Sequence, residues 1–326
     1  MIFENVRNKM KKYGYTYIIV ATIILGGIFL PRLYHIITAK RVGSPFTLYS
    51  CILHDFASLD HSGKDLQFVD SKGVHYGDTV QPMFYYRDIM ARGAMPDSIE
   101  GRKVTVSEIE KNYFMFFSDP DDVNKNLPKV YFLMESSPSR VDLDEAKHAF
   151  VSRKTHLDII RMADNSLDKE LSAAFTEALS DAGFVFPAEI VAGNPSTRKA
   201  YDEGYVMTDA HGELFHMKMV KGAPFVEHIA KPDSLTVTHA FITEYASRRT
   251  LAFITDEESK WYVVDSAKRI IPTDVVCNPA SKDMMMTGDM FYITVKVSDM
   301  EGEDFWALRS ENFSTVATLH RDMEEY

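Results

Sequence analysis

The sequence predicts a mainly β protein: a β-propeller-like ring of antiparallel hairpin units, five or six in number, with inserted helices, preceded by one N-terminal transmembrane helix. Three observations predict it. A turn pattern, Asp-x-x-Gly between short apolar strands, recurs along the chain. Its copies fall near multiples of about 45 residues, the length of a four-stranded propeller blade. An uncharged run of nineteen residues, Tyr13 to Pro31, stands near the N-terminus. The rival arrangement is an α+β fold with a large antiparallel sheet.

The first element is the apolar run. As a helix it is roughly 28 Å long at 1.5 Å per residue, close to the hydrocarbon thickness of a bilayer. Tyr13, Tyr15 and Tyr17 lie at one end, where an aromatic belt belongs. The expected organisation is a cytoplasmic tail (1–12), a transmembrane helix (13–38) and an extracytoplasmic β-rich domain (39–326). A cleaved signal peptide is the competing reading. The run is long for one, and the best small-residue site, Ala39, has Ile37 two positions before it. Arg7, Lys9, Lys11 and Lys12 precede the span, and Arg32, Lys40 and Arg41 follow it. That bias puts the N-terminus in the cytoplasm.

Charge excludes one class of function. The whole chain carries a net charge of -11. The first 41 residues hold seven basic and one acidic side chain, leaving 29 basic and 46 acidic on the rest, a net of -17. Such a domain lacks the clustered Lys and Arg that neutralise phosphates, so no nucleic-acid partner is expected. A hydrophobic fraction of 45% and a charged fraction of 25% exclude a disordered chain and a multi-span membrane protein.

The repeats come next. Asp70, Asp209 and Asp299 each precede a Gly by three residues: Gly73, Gly212 and Gly302. Asp opens such a turn by accepting amides two residues on, and Gly supplies a positive φ. A fourth copy, opened by Asp256, has Ser259 in place of Gly, and a longer fifth is opened by Asp119. The five aspartates are spaced 49, 90, 47 and 43 residues apart, which leaves one unit obscured between Asp119 and Asp209. Four strands are expected over 236–245, 250–255, 261–265 and 269–273, and three more over 291–297, 305–309 and 315–320. All five turns are expected on one rim of the ring.

The obscured unit contains the best helix. Leu167, Leu171, Phe175 and Leu179 form an apolar stripe. Asn165 or Ser166 is its expected cap, and Gly183 its end. A shorter helix is expected from Met83 to Arg92.

Chemical motifs are sparse. The sequence has no Gly-x-Ser-x-Gly elbow, His-Glu-x-x-His helix or Gly-x-Gly-x-x-Gly loop. No catalytic residue and no cofactor is expected. Arg198 and Lys199 follow an irregular loop, Gly193 to Thr197, but lack the P-loop context. Asp202 and Glu203 are adjacent, so only one acid of the pair can face a site. Asp119, Asp121 and Asp122 read as a solvated acidic turn without EF-hand spacing. For a metal, Met284, Met286 and Met290 are the candidates, because a loop could converge their thioethers on copper. Met217 and Met219 read as core residues sharing a strand face with Phe215. Cys51 and Cys277 read as buried free thiols, with a single bridge between them in an oxidising compartment as the alternative.

The stretches FTLYSCILHDF, MFYYRDIMARGAMPDSIEG, ELSAAFTEALSDAGFVFPAEIVAGNPSTRKAYDEGYVMTD and GELFHMKMVKGAP carry a resemblance. From about Ser44 to the C-terminus the chain resembles an uncharacterised family of membrane-anchored Bacteroidota proteins, a domain of unknown function often encoded beside ABC-transporter components. The resemblance implies a Gram-negative envelope, with the domain in the periplasm and the anchor in the inner membrane. It also implies a partner-binding accessory role with ABC-transporter subunits, and it carries over no catalytic or ligand residues. The contrasting class is an envelope metal-binding protein or hydrolase using a propeller's central channel.

Overall fold

The structure is a computed structural model that describes residues 2–38, 45–60, 67–76, 85–91, 93, 95, 98–138, 142–299 and 301–322. The chain divides into an N-terminal unit, within which residues 2–38 are described, and a unit spanning Pro45–Asp322. In the first, helix α1 (Ile2–Thr38) is continuous through Pro31. Its stretch Tyr13–Tyr34 is long and apolar enough to cross a membrane, and none of it is buried.

Among the described residues, the second unit holds five antiparallel sheets in chain order. Sheet I holds β1 (Thr47–Ser50), β2 (Asp55–Asp60), β3 (Gln67–Val69) and β4 (His75–Tyr76). Two short helices follow, α2 (Tyr86–Ala91) and α3 (Val106–Asn112), then β5 (Phe114–Ser118) and the single turn α4 (Pro120–Val123). Sheet II holds β6 (Tyr131–Leu133), β7 (His148–Ser152) and β8 (Leu157–Arg161), followed by α5 (Lys169–Asp181). Sheet III holds β9 (Val191–Gly193), β10 (Tyr205–Thr208), β11 (Leu214–Val220) and β12 (Ala223–Ile229). Sheet IV holds β13 (His239–Ile242), β14 (Thr250–Thr255), β15 (Lys260–Asp265) and β16 (Ile270–Val276). Sheet V holds β17 (Asp283–Gly288), β18 (Tyr292–Ser298), β19 (Gly302–Arg309) and β20 (Thr315–Asp322), with β5 added beside β17.

Each sheet is a meander, and apolar cores glue neighbours together. Phe150, Leu157 and Ile159 of sheet II meet Met207, Phe215 and Met217 of sheet III, with Phe175 and Leu179 of α5 in the same core. Val206 and Leu214 of sheet III meet Ala252 and Ile254 of sheet IV on another. Phe253 and Trp261 of sheet IV meet Met286, Val295 and Leu308 of sheet V. Tyr49 and Phe56 of sheet I meet Tyr292 and Phe305 of sheet V. Four contacts follow chain order, II–III–IV–V, and then join the last sheet to the first. That is a propeller-like arrangement. It explains why all six residues of β14 are buried: sheet IV is covered on both faces. Edge strand β20 instead alternates half-buried and exposed residues throughout.

The fold class agrees with the sequence reading, and the boundaries of β14 coincide with it. Several details differ. Asp119 does not open a hairpin: it caps α4 by accepting the amide of Asp121, with Pro120 at the first helical position. Gly73 and Gly212 have φ of +81° and +76°, but Gly302 has no positive φ. It already lies in β19, paired with Asp322. In the copy without Gly, Ser259 itself takes a φ of 63°. The turns at Asp209, Asp256 and Asp299 each join the second and third strands of their sheets, but Asp70 joins the third and fourth strands of sheet I. The Ser71 hydroxyl donates to Asp55, at the start of β2, which places the Asp70 turn at the end of the sheet where β1 passes to β2. Five equivalent turns on one rim are therefore reduced to three. The cap of α5 is Asp168, not Asn165 or Ser166, because its carboxylate receives the Leu171 amide at 3.1 Å. Leu167 thus precedes the helix and is 44% exposed. Of the shorter helix expected from Met83 to Arg92, α2 is the described part, and 83, 84 and 92 lie outside the described residues.

Candidate functional site

Two groups of buried polar residues lie along one rim, where the first strand of each sheet passes to the second. These connections span 134–147 in sheet II, 194–204 in III, 243–249 in IV, 289–291 in V and 51–54 in I. Side chains link those of sheets II, III and IV, and Asp289 of sheet V feels the charge of Arg249 from sheet IV.

The densest group joins the first three connections. The Lys199 ammonium donates to Asp202 Oδ1 at 2.6 Å, to Glu244 Oε1 at 2.7 Å and to the Asn194 carbonyl at 2.5 Å. All three charged side chains are 4% exposed or less. Asp202 Oδ2 accepts the Ser136 hydroxyl from the sheet II connection and the Gly204 amide. Glu244 accepts the Glu203 amide at 2.8 Å on Oε1 and the Asn194 side-chain amide at 3.0 Å on Oε2. Burial drives the Glu244 carboxyl above its ordinary range, opposed by the Glu203 amide and by Lys199. Two acids on one ammonium push the same way.

The local chain dictates this geometry. Gly204 has a φ of +64°, and a Cβ there would lie 2.4 Å from the Met217 carbonyl. Only glycine lets the connection turn this sharply into β10. The turn sends Asp202 inward and Glu203 outward. Glu203 pairs with Lys218 at 2.6 Å, and its carbonyl meets His216 Nε2 at 2.7 Å. His216 is buried, which lowers its proton affinity. Tyr201, pushed up to about 12 mainly by burial, lies under the Arg248 guanidinium, 3.9 Å from its ring centre.

A second group centres on Asp289. Its Oδ1 accepts the amides of Phe291 and Tyr292 at 2.6 and 2.9 Å. Burial raises its carboxyl to about 6, while the Arg249 charge from the neighbouring connection pulls the other way and Glu100 adds to the rise. Burial also pushes the Cys51 thiol up, with Asp289 and Glu100 adding to the effect. Tyr292 donates its hydroxyl to Glu100 at 2.5 Å. The small cavities on either side, one lined by Tyr49, Tyr113 and Thr294 and the other by Tyr245, Arg249 and Ser310, have room for about one water each.

The sequence-derived metal candidates lie elsewhere. The run Met284 to Met286 is strand β17, not a loop, because β5 and β18 pair with it on both sides. Met284 and Met286 pack into the core between sheets IV and V, whereas Met290 packs into the core between sheets I and V. The structure does not bring the three together. Met217 and Met219 share a core with Phe215, as expected. Cys51 and Cys277 are buried free thiols in different cores. Among the described residues no group of three His, Cys, Asp or Glu side chains is placed to hold a metal. Sequence reasoning missed Glu244 and Asp289. Lys199 and Glu244 are 45 residues apart and meet only because sheets III and IV pack side by side.

Among solved structures, the chain is similar to Kuenenia stuttgartiensis hydrazine synthase, with 11% identity over 61% of this chain and a TM-score of 0.30; it spans 51% of that chain. It is also similar to the Dos1 propeller, with 6% identity over 68% of this chain and 67% of that one, at a TM-score of 0.31. The β-propeller domain of Myceliophteria thermophila Cps50 (Swd1) shares 8% identity over 88% of this chain and 90% of that one, at a TM-score of 0.25. No curated protein matches. Residues 46–308 match the family described as Domain of unknown function (DUF4857), and this chain belongs to that family.

Proposed function

We propose that the protein is a non-catalytic domain of the periplasm, anchored in the inner membrane by its N-terminal helix, that binds a partner protein, namely subunits of an ABC transporter. The observation that carries this reading is the apolar helix at Tyr13–Tyr34, none of which is buried. Such a surface needs lipid to cover it. Two features support a binding role. The charged groups of the rim are spent on one another, Lys199 on Asp202 and Glu244, and Lys218 on Glu203. Phe117, Leu127, Val130 and Phe132 are exposed within sixteen residues of chain between β5 and β6, offering apolar surface to a partner. The transporter as partner rests on the family resemblance.

The test is affinity purification of the full chain from detergent-solubilised envelopes. Stoichiometric recovery of transporter subunits is expected. Recovery of the chain alone overturns the partner. A reporter fused after Tyr326 that works only in the periplasm should be active, and activity from a cytoplasm-only reporter overturns the orientation.

A further inference from the structure

We propose that Lys199 and Glu244 condense, without any other enzyme, into an amide that staples the first connection of sheet III to that of sheet IV. The observation is a lysine and two carboxylic acids within hydrogen-bond distance, sealed from water. Lys199 Nζ lies 2.7 Å from Glu244 Oε1, one bond from Cδ, and 2.6 Å from Asp202 Oδ1. The three side chains are 4%, 2% and 3% exposed in the order Lys199, Glu244, Asp202. Keeping three ionisable groups out of water is costly. The same enclosure promotes condensation, because it fixes the reacting groups and excludes the water that would hydrolyse the product.

The two acids are equipped differently. Each oxygen of Glu244 faces a fixed donor, the Glu203 amide on Oε1 and the Asn194 side chain on Oε2. The Glu203 amide suits the oxyanion of a tetrahedral intermediate on Oε1, and the Asn194 side chain holds Oε2 as the leaving hydroxyl. Burial favours the neutral acid at Glu244, the form an amine can attack. Asp202 accepts the Lys199 ammonium on Oδ1 and the Ser136 hydroxyl and Gly204 amide on Oδ2, so it is placed to take the proton from Lys199 and is the base.

The step balances. Asp202 takes one proton from the Lys199 ammonium. The freed amine attacks Cδ of Glu244, forming the C–N bond, and the electron pair moves onto Oε1 beneath the Glu203 amide. A second proton passes from nitrogen to the Oε2 hydroxyl, the C–O bond breaks, and water leaves. An amide, one water and a neutral Asp202 remain. No oxidant, reductant or energy-rich co-reactant is consumed.

The full chain, purified in detergent, denatured and digested with trypsin, reads this directly. The expected species is the peptide 199–218 joined to the peptide 222–248, lighter than their sum by one water (about 18 Da). It should vanish in Lys199→Arg and Asp202→Asn. Two separate peptides of full mass, with cleavage after Lys199, overturn the proposal. Loss of water within 199–218 alone also overturns it, since the amide would then be on Asp202. Because the wild-type digest decides, variants that fail to fold leave the test intact.

Discussion

Tyr262 donates its hydroxyl to Asp256 Oδ2 at 2.8 Å, while Asp256 Oδ1 accepts the amides of Glu258 and Lys260, both at 2.9 Å. The turn and the strand beyond it are thus held by one carboxylate. Tyr76 and Asp70 repeat the relationship at 3.1 Å. At Asp209 and Asp299 the residue six positions on is Phe215 or Phe305, and both rings go into cores instead. Replacing Tyr262 by Phe should cost about 1 kcal/mol, one net hydrogen bond. Replacing Asp256 by Ala should cost about 2–3 kcal/mol, because two turn amides lose their acceptor as well. Thermal denaturation of the full chain in mild detergent measures both. Equal losses would mean that the tyrosine bond, not the turn, carries the effect.

Two glycines of similar φ should respond differently to alanine. Gly212, at +76°, faces open space, so only backbone strain opposes a Cβ there. About 1 kcal/mol is expected. Gly204, at +64°, would put its Cβ 2.4 Å from the Met217 carbonyl and 2.8 Å from Lys218 Cα. Backbone must move, and the loop carrying Lys199 and Asp202 with it, so a loss of about 3 kcal/mol or more is expected. Comparable melting shifts for the two variants would contradict the close approach.

Legibility followed range. The turns at Asp209, Asp256 and Asp299 were readable because their bonds close within four residues, and their spacing exposed the sheet repeat. Asp119 was misassigned although its signal was local: Pro120 at a first helical position marks a helix start. The three consecutive methionines of β17 carry no alternation, so the run has no strand signal of its own. Its strand character comes from pairing on both sides, with β18 on one and on the other with β5, more than 160 residues earlier in the chain. The Lys199–Glu244 contact was hidden for the same reason, since sheet-on-sheet packing sets it.

Arg321 fastens the last sheet to the first. From β20 its guanidinium donates to Ser58 at 2.9 Å and Thr47 at 3.2 Å, both in sheet I. It also lies over the Phe305 ring and 3.4 Å from Glu303, whose side chain is 1% exposed. Arg321→Ala leaves Glu303 with Lys296 but removes every one of those bridges. A loss of about 2–3 kcal/mol is expected, and Lys at this position should recover less than half, because an ammonium cannot form the same fork. Faster proteolysis within 45–60 would show that sheet I is what loosens. A variant as resistant as the wild type would place the seam elsewhere.

Asp289 gives the fold a pH signature. Its carboxyl is raised to about 6 in the folded chain from an ordinary 3.8, chiefly by burial. Between those values the folded state holds a proton that the unfolded state has lost. Stability from this group is therefore full below pH 4, falls as pH rises towards 6, and stays reduced above it. Two units correspond to about 3 kcal/mol at most. Asparagine in its place keeps an oxygen for the Phe291 and Tyr292 amides and cannot ionise. Asp289→Asn should match the wild type near pH 4 and exceed it by about 1–3 kcal/mol at pH 7, despite losing the attraction of Arg249. Denaturation of both chains at a series of pH values measures the difference. A gap that stays constant from pH 4 to 7 would show that Asp289 is ionised throughout, with Arg249 and the two amides outweighing burial.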